Sequence, residues 1–403
     1  MVLRVRSTGS WLIGLWVLAG CGVETVGVLT LEAPGTPAYS GRGFIVHEWG
    51  TDTVVVGSDG SRQKGLQHEE EDLPAFVLDR RSLAGVAEPP VDVKMETPVT
   101  YFYSEVPRQV SVAVRFPLGL FTQWFPAVRA SSTGQDAGLL DWSTVDVLDR
   151  GAEGGLLEAP LERYTWSHAR QVAANPVAVG GQREKFLFYR GLGNFELPVA
   201  VTAAPGGGIE LTRAGASEIG TVFLLNVAPD GTGRFTVRQG GFAGAASIEG
   251  VLPGLEDALP REVYAAALGV ALIEALSGAG LYLDEAKAMV ATWERQWFHT
   301  PGPRVLYLAP EAWTAASIPL AITPAPDRLT RVMVIRVEVI TPELEARDVD
   351  AARMLGMSAE RALEGERYFL ALGRFAEPRF RRAVSLLGEP AWAERFLTTL
   401  SGE

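Results

Sequence analysis

The sequence predicts an α+β fold: a β-rich, sandwich-like body with a helical C-terminal region. Three observations predict it. Short β-branched and aromatic runs recur from residue 44 to about 250, with turn residues between them. An alanine-rich stretch after Pro260 and an apolar stripe after Leu283 mark helices within residues 251–340. Beyond Thr341, prolines and glycines bound a succession of short helical segments.

Residues 44–47 and 53–56 are the first two runs, and Gly57-Ser-Asp-Gly60 behind them is turn chemistry. Residues 98–103 and 109–116 follow; the second alternates apolar and polar, which buries one face of a strand. Residues 185–190 and 197–201 continue the pattern, while residues 130–180 read as loop. Residues 221–226 and 234–238 flank Pro229-Asp-Gly-Thr-Gly233, a hairpin signal centred on Asp-Gly. Pro260 suits a helix start, continued by residues 263–276. A second helix over residues 283–297 takes Asp284 as its cap. Its stripe of Ala286, Met289, Val290, Trp293 and Trp297 is core packing rather than a cofactor face. Residues 304–308 and 330–340 return to strand. In the latter, Val332, Val334, Arg336 and Glu338 share one parity, so Arg336 and Glu338 are expected to emerge at one end of a mostly buried strand. Thr341-Pro342 is a cap followed by a first-turn proline. Ser358, Pro378 and Pro390 open further helices, and Gly373 and Gly388 close two of them.

Composition narrows the class. The chain has 403 residues, 47% apolar and 21% charged, which excludes disorder, collagen-like repeats and a polytopic membrane protein. A net charge of −12 argues against a nucleic-acid partner, which would need a basic face. One cysteine excludes a disulfide framework and any multi-cysteine metal site. Four histidines leave little for an all-histidine centre, and no cofactor is indicated.

The N-terminus carries an address. Arg4 and Arg6 precede an apolar run from Trp11 to Ala19, and Leu18-Ala-Gly-Cys21 follows directly. This is the pattern of a removable export signal over residues 1–20. The tetrapeptide resembles the lipobox of bacterial lipoproteins. That resemblance implies cleavage before Cys21, lipidation of Cys21 and attachment to the membrane through its acyl chains. Several chains at ~0.8 kcal/mol per buried methylene hold a protein stably, whereas one is marginal. Two other readings of the segment exist. Cys21 could be a core thiol, or residues 11–31 an uncleaved anchor, although Glu24 and four glycines interrupt that span. Without residues 1–20 the net charge is −14, and Gly22 follows the cysteine. Aspartate there would retain an enterobacterial lipoprotein in the inner membrane, so the resemblance implies the outer membrane. Residues 21–43 read as a lipidated tether, with an r.m.s. reach of about 25 Å at ~5–6 Å per square-root residue. The body then divides into a β-rich domain at 44–250, a mixed α/β segment at 251–340 that completes it, and a small helical region at 341–403.

The catalytic fingerprints are missing. There is no Gly-x-Ser-x-Gly, no phosphate-cradling Gly-x-x-x-x-Gly-Lys, and Gly191-Leu-Gly193 lacks a third glycine. Three weak candidates remain. His47-Glu-Trp-Gly-Thr51 begins like a zincin helix, but Thr51 stands where the second histidine belongs and the context is β. His68 precedes four acids, without the alternate spacing of a calcium loop. His168, near Arg170, and His299, at a helix end, complete the set.

The body resembles an uncharacterised family of secreted bacterial proteins. The resemblance lies in His47-Glu-Trp-Gly-Thr51, Lys94-Met-Glu-Thr-Pro-Val99 with Tyr101-Phe-Tyr103, Arg304-Val-Leu-Tyr-Leu308 and Arg331-Val-Met-Val334. It implies export and assigns no activity or catalytic residue. Asp52 stands where an aromatic is expected after the first motif. Two functions follow: a non-enzymatic binding or structural protein of the envelope, or an envelope hydrolase, metal-assisted or metal-free, around His47 and Glu48.

Overall fold

A computed structural model describes residues 39–68, 73–80, 91–128, 137–158 and 166–401. The export signal, Cys21, most of the tether and the acidic run 69–72 lie outside the described residues.

The described residues form a sheet-rich α+β fold with C-terminal helices. The strands are, in order, β1 (Phe44–Val56), β2 (Leu78–Asp79), β3 (Val93–Ser104), β4 (Arg108–Arg115), β5 (Gly119–Phe125) and β6 (Leu139–Val147). Then come β7 (Val177–Val179), β8 (Gln182–Glu184), β9 (Leu187–Gly193), β10 (Val199–Ala203), β11 (Gly208–Arg213) and β12 (Val222–Val227). The last are β13 (Gly233–Arg238), β14 (Ser247–Val251), β15 (Gly302–Leu308), β16 (Leu320–Thr323) and β17 (Arg328–Val339). The helices are α1 (Trp166–Ala169), α2 (Arg261–Gly278), α3 (Leu283–Phe298) and α4 (Glu311–Ser317). The C-terminal four are α5 (Pro342–Leu355), α6 (Ala359–Leu370), α7 (Ala376–Leu386) and α8 (Ala393–Ser401).

The main sheet runs β13-β12-β15-β17-β1-β3-β9-β5-β2, and β1 lies parallel to β17 and antiparallel to β3. Two smaller sheets, β16-β4-β6-β7-β8 and β10-β11-β14, complete the β structure. β1 is buried at every position except Ile45, because both faces of the main sheet are covered. On one face Val46, Val54, Met333 and Ile335 join an apolar cluster with Val112 and Trp142 of the five-stranded sheet and Leu211 and Ile248 of the three-stranded one. On the other, Trp49, Val332 and Val334 pack with Leu268 and Leu272 of α2 and Trp293 and Trp297 of α3. Phe369, Phe380 and Phe396 form a separate core among the C-terminal helices.

β15 and β17 sit between β12 and β1, so residues on both sides of position 250 build one sheet. Several elements differ from the sequence reading. Residues 130–180 contain β6, α1 and β7. The N-cap of α3 is Tyr282, whose backbone N–H donates to Glu285 at 2.7 Å; Asp284 instead accepts from the Ala173 N–H at 2.8 Å. Arg336 and Glu338 do not emerge, since the C-terminal region covers that end of β17 and both are buried. Pro378 lies within α7 rather than at its start.

Tyr39, assigned to the tether, touches the body. Its hydroxyl donates to Gly43 O at 3.0 Å, its ring lies 5.5 Å from that of Tyr103, and Arg150 covers it at 4.5 Å. A chain beginning at Gly43 should therefore fold but lose about 1 kcal/mol of aromatic contact, lowering its thermal midpoint by no more than about 4 °C. Calorimetry of the two chains checks this; a fall of ten degrees would place residues before Gly43 in the folded body.

Candidate functional site

The His47–Thr51 motif lies in the middle of β1, where the register with β3 shifts between Trp49 and Thr51. Gly50 is required there by close approach: a Cβ would stand 2.9 Å from Pro98 Cα and 3.0 Å from Met333 Cε. Side chains alternate along a strand, so adjacent residues face opposite sides. His47 points to the helices and Glu48 to the smaller sheets, and both are fully buried.

His47 is held by α3. Its Nδ1 lies 2.7 Å from Glu285 Oε2. A carboxylate only accepts, so Nδ1 carries the proton. Glu285 Oε2 also accepts from the Tyr282 N–H, and Oε1 accepts from the Tyr103 hydroxyl at 2.9 Å. The imidazole rests against Tyr282 at 4.4 Å and Tyr103 at 5.5 Å. Burial, reinforced by Glu285, drives the Tyr103 hydroxyl well above its ordinary pKa, keeping it a donor. The unit anchors the first turn of α3 to the sheet.

Glu48 is saturated on the opposite face. Arg331 Nε donates to Oε2 at 2.6 Å, and Tyr189 and Thr100 hydroxyls donate to Oε1 at 2.5 and 3.3 Å. Burial alone would lower the pKa of Arg331; Glu48 outweighs it and raises it. Burial followed by Glu48 likewise raises Tyr189 well above its ordinary value. The two halves of the candidate pair thus have separate partners on opposite faces of the sheet.

The remaining histidines are His168, His299 and His68. His168, on the single turn of α1, is half-buried, and burial lowers its pKa against the pull of Glu294. His299 caps the C-terminus of α3 with Nε2 3.6 Å from Glu294. Burial and then Arg261 lower its pKa. Arg170 does not serve His168: it forks onto Glu184, which also accepts from Trp166. His68 Nε2 lies 3.1 Å from Glu377. Among the described residues, no group of three or more His, Cys, Asp or Glu is placed to hold a metal ion.

Sequence reasoning missed a buried charge network farther along the same sheet. Glu338 Oε1 accepts from Arg304 Nε at 2.8 Å and Arg336 Nε at 2.7 Å. Arg304 also donates to the carbonyls of Trp297 and Thr300. Glu96 accepts from Thr53 at 2.6 Å and pairs with Arg374. Burial pushes Glu96 up, but Arg374, Lys94 and Arg190 together hold its pKa at about 2. Asp52 has the opposite fate. Its two oxygens are buried without a hydrogen-bond partner, and burial, followed by the field of Glu96, pushes it up to about 8. The shared parity of Arg336 and Glu338 was the available signal; the helices that bury them are not local in sequence.

No protein-family model matches the sequence, and no curated protein matches it. Among solved structures, the chain is similar to the yeast delta-COP-I mu-homology domain, at 9% identity and a TM-score of 0.27, over 74% of this chain and 98% of that one. The same domain complexed with the Dsl1 WxWxV peptide gives 8% identity and a TM-score of 0.28, over 74% and 97%. Similarity at that level carries no inference about this chain. Among the described residues, no helix is long and apolar enough to cross a membrane.

Proposed function

We propose that the protein is a bacterial lipoprotein anchored in the outer membrane through Cys21, with a sheet-rich body that serves a non-enzymatic binding or structural role in the envelope. The observation that carries the reading is the order Arg4 and Arg6, apolar run, Leu18-Ala-Gly-Cys21. The separation of His47 and Glu48 onto opposite faces supports it over a hydrolase built on that pair, because no substrate can meet both at once. Metal analysis and a broad hydrolase screen on the purified mature protein test the second half of the reading. Stoichiometric metal or turnover would overturn it.

The anchor is tested separately. Cys21→Ser removes the sulfur that takes the diacylglyceryl group, so the variant should incorporate no fatty-acid analogue and leave the membrane fraction. Label retained by the variant would end the lipoprotein reading.

A further inference from the structure

β14 is the outer strand of the three-stranded sheet, paired with β11 on one side only. Its register fixes which backbone groups that pairing uses. The Leu252 N–H donates to Gly207 O and the Arg213 N–H to Ala246 O, both at 2.8 Å. Those contacts bracket the strand, so the hydrogen-bonded pairs within it are Gly250–Ile209 and Ile248–Leu211. Ser247, Glu249 and Val251 therefore turn their N–H and C=O groups away from β11. Among the described residues no strand or loop pairs with that edge. Sheet edges are normally blunted by proline, lysine, a bulge or a covering element. β14 reads Ser-Ile-Glu-Gly-Val in unbroken register, with neither proline nor lysine, and Val251 is 66% exposed.

Beside this edge a groove of about 240 Å³ opens between the three-stranded sheet and β12–β13 of the main sheet. Leu211, Val222, Leu224 and Ile248 give it apolar walls, and Thr236 and Arg238 also line it. Arg238 is engaged locally, its Nε donating to Gly241 O at 2.9 Å. On the other face of β14, Glu249 stands directly across from Glu210 of β11. Theirs is a non-hydrogen-bonded pair, which brings side chains closest, and like charges set so oppose each other. Both are exposed, and neither has an ion-pair partner among the described residues.

We propose that β14 takes up an extended peptide as a further antiparallel strand, one in which basic residues alternate with apolar ones. Backbone pairing to Ser247, Glu249 and Val251 supplies the binding. Because side chains alternate along a strand, the apolar ones enter the groove while the basic ones stand over Glu249 and Glu210. A second copy of this chain is the poorer occupant. Antiparallel pairing centred on β14 would set Glu249 against Glu249 between two acidic bodies. The assignment rests on the non-enzymatic binding role proposed above and gives it a partner class; the lipid anchor plays no part in it.

A fluorescein-labelled Lys-Val-Lys-Val-Lys-Val-Lys peptide is the probe, read by anisotropy against the mature protein at about 0.15 M salt, where loose charge attraction is screened. One site is expected. Two control peptides replace every lysine by glutamate or place N-methyl groups on the lysine backbones. In the antiparallel register the lysine N–H groups face β14, so N-methylation keeps the charge and removes the donors. Either control should bind at least about tenfold more weakly, the equivalent of 1.4 kcal/mol. Val251→Pro deletes an edge donor that has no partner in the fold, and Glu249→Lys reverses an exposed charge. Each variant should lose a similar factor while keeping the far-ultraviolet circular dichroism of the parent. Absence of binding, equal binding of either control peptide, or affinity unchanged by either variant would overturn the proposal. So would a dimer in sedimentation that Val251→Pro dissolves, since the edge would then belong to a second copy. Metal or turnover in the assays above would end the non-enzymatic reading without moving these affinities, and a failure of the peptide to bind leaves those assays unchanged.

Discussion

Glu48→Gln should destabilise the folded protein by about 3–5 kcal/mol, the range for breaking a buried ion pair by neutralising one partner. Were Glu48 an isolated hydrogen-bonding group, the cost would be nearer 1–2 kcal/mol, the difference between a charged and a neutral hydrogen bond. The larger figure follows from Arg331, whose side chain is only 3% exposed and whose guanidinium lies 2.6 Å from Glu48. Glutamine would fill the same space but leave that guanidinium in the core without a counter-charge. The amide would also offer one acceptor oxygen where the carboxylate accepts from Arg331, Tyr189 and Thr100. Urea unfolding at neutral pH measures the effect. Adding Arg331→Met to Glu48→Gln should restore much of the loss, since the stranded charge is then removed. A single variant within about 1 kcal/mol of the parent would show that the pair contributes no more than a surface bridge.

That result would also separate what the sequence states about this site from what only folding decides. The strand character of β1 is legible in its β-branched residues, and the period of two already places His47 and Glu48 on opposite faces. Their partners are not legible. Glu285 and Arg331 lie 238 and 283 residues away, and each is chosen by a register that no local pattern encodes. The parallel pairing of β1 with β17 is the same kind of fact, because it joins opposite ends of the body. Helix starts show the intermediate case. Thr341-Pro342 opens α5 as its chemistry dictates, but Asp284 loses the cap of α3 to Glu285, which reaches back to the Tyr282 N–H while holding His47. The parity of Arg336 and Glu338 is readable, yet their burial depends on the C-terminal helices, and a lone strand would present both to water.

Asp52 should give the protein a stability that falls as pH rises through neutrality. The carboxyl is fully buried, its oxygens have no hydrogen-bond partner, and Glu96 adds a like charge nearby. Its folded pKa is pushed up from 3.8 to about 8. Between those values the folded state keeps a proton that the unfolded state has released. Stability therefore declines with increasing pH across that window, by about 1.4 kcal/mol per unit and up to ~6 kcal/mol in all. Above about pH 8 the folded carboxyl ionises as well and the decline from this group ends. Tyr307, raised first by burial and then by Asp52, stays neutral throughout that range. Asp52→Asn keeps the shape and removes the titration. The variant should gain on the parent steadily from pH 4 to pH 8, and because other titrating groups are common to both proteins, the difference isolates this one. Denaturant unfolding of the pair at each pH gives that difference directly. A difference that stays constant across the window would mean that Asp52 is solvated or paired in the folded state. The position itself explains why a carboxyl is so exposed to this effect: it faces the apolar layer between the main sheet and the smaller sheets, on the same side as Val54 and Ile335.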